Sequence, residues 1–190
     1  MVTKDNIAII IPFHKNVEML RLSIHTLEES IKGEKPQIII IANNNNPNEL
    51  NLSEYEFAQY DIYKIPENLF WPGAINLGAR QTDKQYLLFC DPDIFYTENW
   101  LDNLLDCYNR HKNVGVVSAK IINPLNNRIM DFGMGYNQFN TIHIGKDLPF
   151  NHPTTLDDRK VQAACGAVFL TSHELFKRVN GIDTSMPYIL

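Results

Sequence analysis

The sequence predicts an α/β fold with a mostly parallel central sheet flanked by helices, and three observations lead there. Ile7 to Ile11 is an unbroken aliphatic run ended by Pro12, and Ile38 to Ile41 is a second one. Continuous rather than alternating hydrophobicity marks strands covered on both faces, as the strands of parallel sheets are. Between the two runs, Val17, Leu20, Ile24, Leu27 and Ile31 recur at steps of three and four and line one helical face. Strand, helix, strand in that order is a βαβ unit, whose two strands lie parallel in one sheet.

The remaining elements follow in order. Gly33 stops the first helix. The second strand breaks into the polar loop Asn43-Asn44-Asn45-Asn46-Pro47. Asp61 to Ile65 reads as a weaker strand, and Pro72 suits the first turn of a helix running through Ala79. Tyr86 to Cys90 is a buried strand with Asp91-Pro92-Asp93 at its carboxyl end. Trp100, Leu101, Leu104, Leu105 and Tyr108 give the next helix its apolar face. Val114 to Val117 and Ile121-Ile122 are short strands.

From Asn123 to Asp158 the chain is rich in Asn, Gly, Pro and His, which predicts long surface loops with one hairpin, where a second substrate would sit. Val161 to Leu170 is apolar again. Thr171-Ser172-His173-Glu174 forms a capping box that opens a short helix, and Gly181 ends it. There is no repeat, low-complexity tract or linker, so one domain is expected over residues 1–190.

Composition narrows the function classes. With 190 residues, 44% hydrophobic and 21% charged, the chain reads as an ordinary globular protein. A formal net charge of -5, with Lys and Arg scattered, argues against a nucleic-acid partner. No apolar run nears the roughly 18 residues of a transmembrane segment. The N-terminus lacks the apolar core of a secretion signal, so a cytoplasmic protein is expected. Cys90, Cys107 and Cys165 are odd in number and far apart, which reads as buried thiols in a reducing compartment rather than a disulfide frame or a zinc site.

In an open parallel sheet, ligands bind beyond the carboxyl ends of the strands. Three loops at that edge are unusually polar: Phe13-His14-Lys15-Asn16, Asn43 to Asn46, and Asp91-Pro92-Asp93. Two carboxylates one residue apart make a compact oxygen site. Mg²⁺ or Mn²⁺ needs only one or two such groups when a diphosphate and waters complete its shell. Asp-Pro-Asp is also a common turn, with Asp93 able to cap a local helix, so the spacing alone leaves both readings open.

The order of segments resembles the family 2 nucleotide-sugar glycosyltransferases of the GT-A fold, over nearly the whole chain. Ile7 to His14 resembles that family's opening strand, and Ile38 to Asn45 its second strand and polar loop. Glu67 to Gly78 is similar to its Asn…Gly…Asn-x-Gly segment, and Tyr86 to Asp93 to the strand carrying its Asp-x-Asp motif. Gly166-Ala167 and Gly181-Ile182-Asp183 look like its Gly-Ala…Gly-Phe-Asp stretch.

The resemblance implies a Rossmann-like GT-A domain. Residues 1–122 would be the nucleotide-sugar-binding part and residues 123–190 a partial acceptor side. It implies transfer from a nucleoside-diphosphate sugar to a hydroxyl of a glycan or lipid-linked acceptor, with inversion and assistance by Mn²⁺ or Mg²⁺. Pro12, Phe13 and His14 would border the nucleoside, partly through backbone groups, and Asn43 would lie near the base or ribose. Asn68, Gly73 and Asn76 would shape the nucleotide pocket, with Gly73 allowing close backbone approach. Asp91 would face the ribose or metal, and Asp93 would be the main metal ligand. Polysaccharide synthesis at the inner face of a membrane, without an anchor in it, is the placement implied.

Two departures stand out. Relatives usually end the second strand in an acid, where Ala42-Asn43 stand here. The general base of an inverting transferase follows the Gly-Phe-Asp stretch, which puts it beyond Leu190 and leaves the catalytic residue unknown; the apolar ending from Met186 reads as an interrupted chain. Asp183 matches a structural position. Trp71 reads as a partly buried hydrophobe, and His143 and His152 as surface residues or satisfied hydrogen-bonders. A sugar nucleotidyltransferase is a weaker reading, because residues 12–16 lack its glycine-rich basic loop. A non-catalytic nucleotide-sugar or glycan-binding module would use the same donor site.

Overall fold

The computed structural model describes residues 1–43, 57–138 and 140–186. The loop predicted at Asn44 to Pro47 and residues 187–190 lie outside these. The main elements are β1 (Ile7–Phe13), α1 (Val17–Ser30), β2 (Gln37–Asn43), β3 (Asp61–Ile65), α2 (Phe70–Ala79), β4 (Tyr86–Cys90), α3 (Trp100–Arg110) and β5 (Val116–Ser118). Then come β6 (Ile121–Asn123), β7 (Arg128–Asp131), β8 (Met134–Tyr136), β9 (Thr141–His143), β10 (Val168–Ser172) and α4 (His173–Arg178).

Six strands form one sheet in the order β3-β2-β1-β4-β10-β5. β3, β2, β1 and β4 are parallel neighbours, and β10 runs antiparallel to both β4 and β5. The mostly parallel sheet is therefore as expected.

The unbroken aliphatic runs have a direct cause. Ile7, Ile9, Ile11 and Phe13 pack with α1 and α3, while Ala8 and Ile10 pack with α2 and α4. All seven residues of β1 are buried. Each such aliphatic side chain contributes about 1.5–3 kcal/mol by leaving water.

α2 lies unusually close to the sheet. A Cβ on Gly78 would fall 2.4 Å from Ile10 Cγ2 and 3.3 Å from Ile41 Cγ1. Both neighbours are buried strand side chains with no room to retreat. Gly78→Ala is therefore expected to destabilise the fold by about 1–3 kcal/mol, despite the better helix propensity of alanine. A urea midpoint equal to the wild type would refute this.

Three sequence readings change. The apolar stretch from Val161 forms a strand only from Val168, and before it only an isolated bridge joins Ala163 to Met134. The loop-rich region holds two small hairpins rather than one, β6–β7 and β8–β9. The cap of α4 is Ser172, whose hydroxyl accepts from Leu175 N–H at 3.1 Å, because Thr171 is still within β10 and donates to the Gly115 carbonyl at 2.8 Å. Of the cysteines only Cys90 is buried; Cys107 and Cys165 are partly exposed. Among the described residues no helix is long and apolar enough to cross a membrane.

Candidate donor and metal site

β1 is followed through α1 by β2 on one side of it, whereas β4, reached after β3, lies on its other side. The carboxyl ends of β1 and β4 thus border the switch point of the sheet, where such folds leave a crevice. Pairing of β1 with β4 ends at Ile10 opposite Phe89, while β1 continues along β2 to Phe13. Ile11, Pro12 and Phe13 overhang that crevice. His14 follows β1, and Asp91-Pro92-Asp93 follows β4 as a turn.

Asp91 is held from two directions. Its backbone N–H donates to the Ala167 carbonyl at 2.8 Å, and its Oδ1 accepts from the Trp71 indole N–H at 2.8 Å. Trp71 in turn packs tilted on Phe169, with ring centroids 6.3 Å apart. Burial pushes the Asp91 carboxyl up to about 6; the indole bond opposes this and the Asp93 charge adds to it. Asp93 is exposed. A fixed, largely buried carboxylate beside a second one open to solvent is a donor set that suits a hard divalent cation. The residues fit Mg²⁺ or Mn²⁺ on that ground.

The other expected site residues take more varied places. Pro12 and Phe13 are buried, so only their backbone groups remain for a ligand. His14 is half-buried, with Nδ1 3.0 Å from the Asn43 carbonyl oxygen. A carbonyl only accepts, so Nδ1 carries the proton of this bond and Nε2 is left for other partners.

Asn43 is 3% exposed, and its amide faces inward. Its Oδ1 accepts from Leu69 N–H at 2.7 Å, and Nδ2 donates to Asn68 Oδ1 at 3.0 Å and to the Phe70 carbonyl at 3.3 Å. Asn68 Oδ1 also accepts from Phe70 N–H at 2.9 Å. The two amides cradle the entry of α2, where Phe70 has a φ of 53°, a region that strains a bulky side chain. Asn43 thus braces the entry of α2, with both amide hydrogens engaged.

Asn76 and Gly73 also have close partners within the protein. Asn76 Nδ2 donates to the Ile182 carbonyl at 2.7 Å and its Oδ1 accepts from Ile182 N–H at 2.8 Å, fastening residues 181–183 to α2. Gly181, at φ 75°, would place a Cβ 2.4 Å from Asn76 Oδ1, so glycine is required there. The space beside Gly73 is occupied by Leu69 Cβ, 2.8 Å from where a Cβ would stand, rather than left for a ligand.

Sequence reasoning missed two pairings. Trp71 orients Asp91 across 20 positions, a distance over which no periodicity speaks. In the 123–158 region, His143 Nδ1 lies 2.7 Å from Asp131 Oδ1, and Asp131, 3% exposed, takes Gly133 N–H on Oδ2 at 2.8 Å. His143 is therefore an exposed but hydrogen-bonded imidazole, the second of its two expected readings.

Comparison with known proteins agrees with the geometry. Among curated proteins, 124 residues are 27% identical to the minor teichoic acid biosynthesis protein GgaB of Bacillus subtilis (strain 168), covering 60% of this chain. The chain spans 13% of the length of that relative. The mannosyltransferase PcManGT from Pyrobaculum calidifontis, solved in complex with GDP-Man and Mn²⁺, superposes with a TM-score of 0.60 at 11% identity, over 96% of this chain and 50% of that one. S. aureus TarS gives a TM-score of 0.47 at 13% identity, over 55% of this chain and 20% of that one. The PcManGT superposition shows a shared GT-A fold. Residues 8–179 match Glycosyl transferase family 2, and the chain belongs to that family.

Proposed function

We propose that this chain binds a nucleoside-diphosphate sugar together with Mn²⁺ or Mg²⁺ at the carboxyl edge of β1 and β4. The carrying observation is the Asp91-Pro92-Asp93 turn at the switch point, with Asp91 fixed by the Trp71 indole at 2.8 Å. Asp91 and Asp93 would hold the cation, which supplies Lewis-acid neutralisation of the departing diphosphate. His14 Nε2 and the backbone of residues 12–14 would face the nucleoside. Asn43, Asn68 and Asn76 would keep the wall rigid around it. The reaction we infer is displacement at the anomeric carbon by a hydroxyl of a glycan or lipid-linked acceptor, with inversion. The name of the GgaB relative supports a bacterial cell-surface polymer as the acceptor class.

The test is thermal denaturation of the chain with nucleoside diphosphates, with and without Mn²⁺. Binding at ~100 times Kd would stabilise by about 2.7 kcal/mol, which moves the melting temperature by several degrees. Asp93→Ala should abolish the Mn²⁺-dependent part and keep the ligand-free melting temperature, since Asp93 is exposed. No shift with any of several nucleotides would overturn the proposal.

A further inference from the structure

A second cluster of ligating side chains lies away from the donor site, on the last turn of α3. Among the described residues, Cys107, His111 and Asp158 bring a sulfur, an imidazole nitrogen and a carboxylate oxygen within 4.8 Å of one another. Cys107 and His111 are four residues apart, and Asp158 arrives from the loop that precedes β10. We propose that these three residues form a metal site for Zn²⁺ or a divalent cation of similar softness, separate from the carboxylate pair at Asp91 and Asp93.

The geometry carries the proposal. His111 Nε2 and Asp158 Oδ2 are 3.2 Å apart. Tetrahedral zinc with N and O ligands at about 2.0–2.1 Å separates them by roughly 3.3 Å, so this edge is already set. The Cys107 sulfur lies within 4.8 Å of both the imidazole nitrogen and the carboxylate oxygen. Asp158 is therefore a hub on which the other two ligands already converge. A thiolate and a carboxylate balance the charge of a divalent cation, and neutral imidazole completes a mixed set that zinc accepts. The fourth position opens to solvent, since His111 and Asp158 are both exposed. Coordination would expel the Cys107 proton, which burial and the neighbouring Asp158 hold in the metal-free protein.

Arg110 is the opposing feature. Its Nη2 lies 3.0 Å from Asp158 Oδ2 and its Nε donates to the Asp106 carbonyl at 3.3 Å, but its side chain is 60% exposed. A carboxylate that ligates through one oxygen commonly keeps such a donor on the other. The consequence of binding is a clip between α3 and the loop leading to β10. Neither Asp91 nor Asp93 belongs to this cluster.

Co²⁺ titration of the reduced chain tests the site without any nucleotide. A thiolate-to-cobalt charge-transfer band and tetrahedral d–d bands are expected, both bleached by equimolar Zn²⁺. Cys107→Ser should remove the charge-transfer band. His111→Ala and Asp158→Asn should each weaken Co²⁺ binding about tenfold or more. Cys165→Ser should leave the charge-transfer band unchanged, which ties the band to Cys107, and the band, unlike any binding at the carboxylates, requires a thiolate. No charge-transfer band in a large molar excess of Co²⁺, or a band that survives Cys107→Ser, overturns the proposal. If Cys107→Ser fails to fold, the exposed His111→Ala decides, and unchanged affinity there overturns it equally.

Discussion

Asp91→Asn is expected to make the metal-free protein more stable at neutral pH while removing its response to Mn²⁺. The Asp91 carboxyl is raised from 3.8 to about 6, chiefly by burial. The folded state therefore holds this proton more tightly than the unfolded state does. For a carboxylate shifted upward, the contribution to stability is greatest below the unfolded value. It is lost as pH rises towards 6 and is constant above, the reverse of a salt-bridged aspartate.

A shift of about two units corresponds to at most about 3 kcal/mol, and partial solvent access lowers that to roughly 1–3 kcal/mol. Asparagine keeps the oxygen that the Trp71 indole bonds but carries no charge to bury. The stability difference between variant and wild type should widen from about pH 4 to pH 6 and then level off. Urea denaturation across that range measures it. A variant less stable than the wild type at pH 7, or a difference flat in pH, would sink the argument. The same substitution removes a ligand charge, so the Mn²⁺-dependent nucleotide shift should vanish. A site that destabilises its own fold until a cation arrives is what functional carboxylates do.

Asn43→Ala is expected to cost about 2–4 kcal/mol and to disable nucleotide binding, although Asn43 need not touch the nucleotide. Truncation orphans the Leu69 N–H and removes the donor to Asn68 and to the Phe70 carbonyl, in a place shielded from water. It also frees Phe70 from its positive φ, and the first turn of α2 carries Trp71 with it. Asp91 then loses its indole partner. Asn43→Asp should be no rescue. Both partners of Nδ2 are oxygens, and Asn68 Oδ1 is fixed as an acceptor by Phe70 N–H, so an acid at 43 would face two acceptors. That is the physical reason an amide stands where relatives usually have an acid. The two readouts are the urea midpoint and the nucleotide-induced melting shift. A loss below about 0.5 kcal/mol for Asn43→Ala would show that the brace carries no weight.

How far the sequence reached depended on the range of each signal. β4 was legible to the residue, because burial on both faces of a parallel sheet writes itself as a local aliphatic run, whereas β3, a partly exposed edge strand, left the weaker signal read at Asp61 to Ile65. α1 and α3 were legible from periodicity. The small hairpins were not, since three-residue strands in a polar region carry no usable period. The carboxylate pair was visible as a motif, but a motif in one dimension is also a turn.

By itself, then, the sequence determined the sheet, its flanking helices and the edge at which Asp91 and Asp93 emerge. These follow from hydrophobic patterning over a few residues. Only the tertiary structure decided what the amides do. Asn43 and Asn76 look alike in the sequence as pocket residues, yet each closes hydrogen bonds across 25 to 106 positions that no local pattern encodes. It also decided that Trp71 orients Asp91, and that Cys107 meets His111 and Asp158. Side-chain chemistry at a site is set by what long-range packing brings within about 3 Å, and that distance is fixed only once the chain has folded.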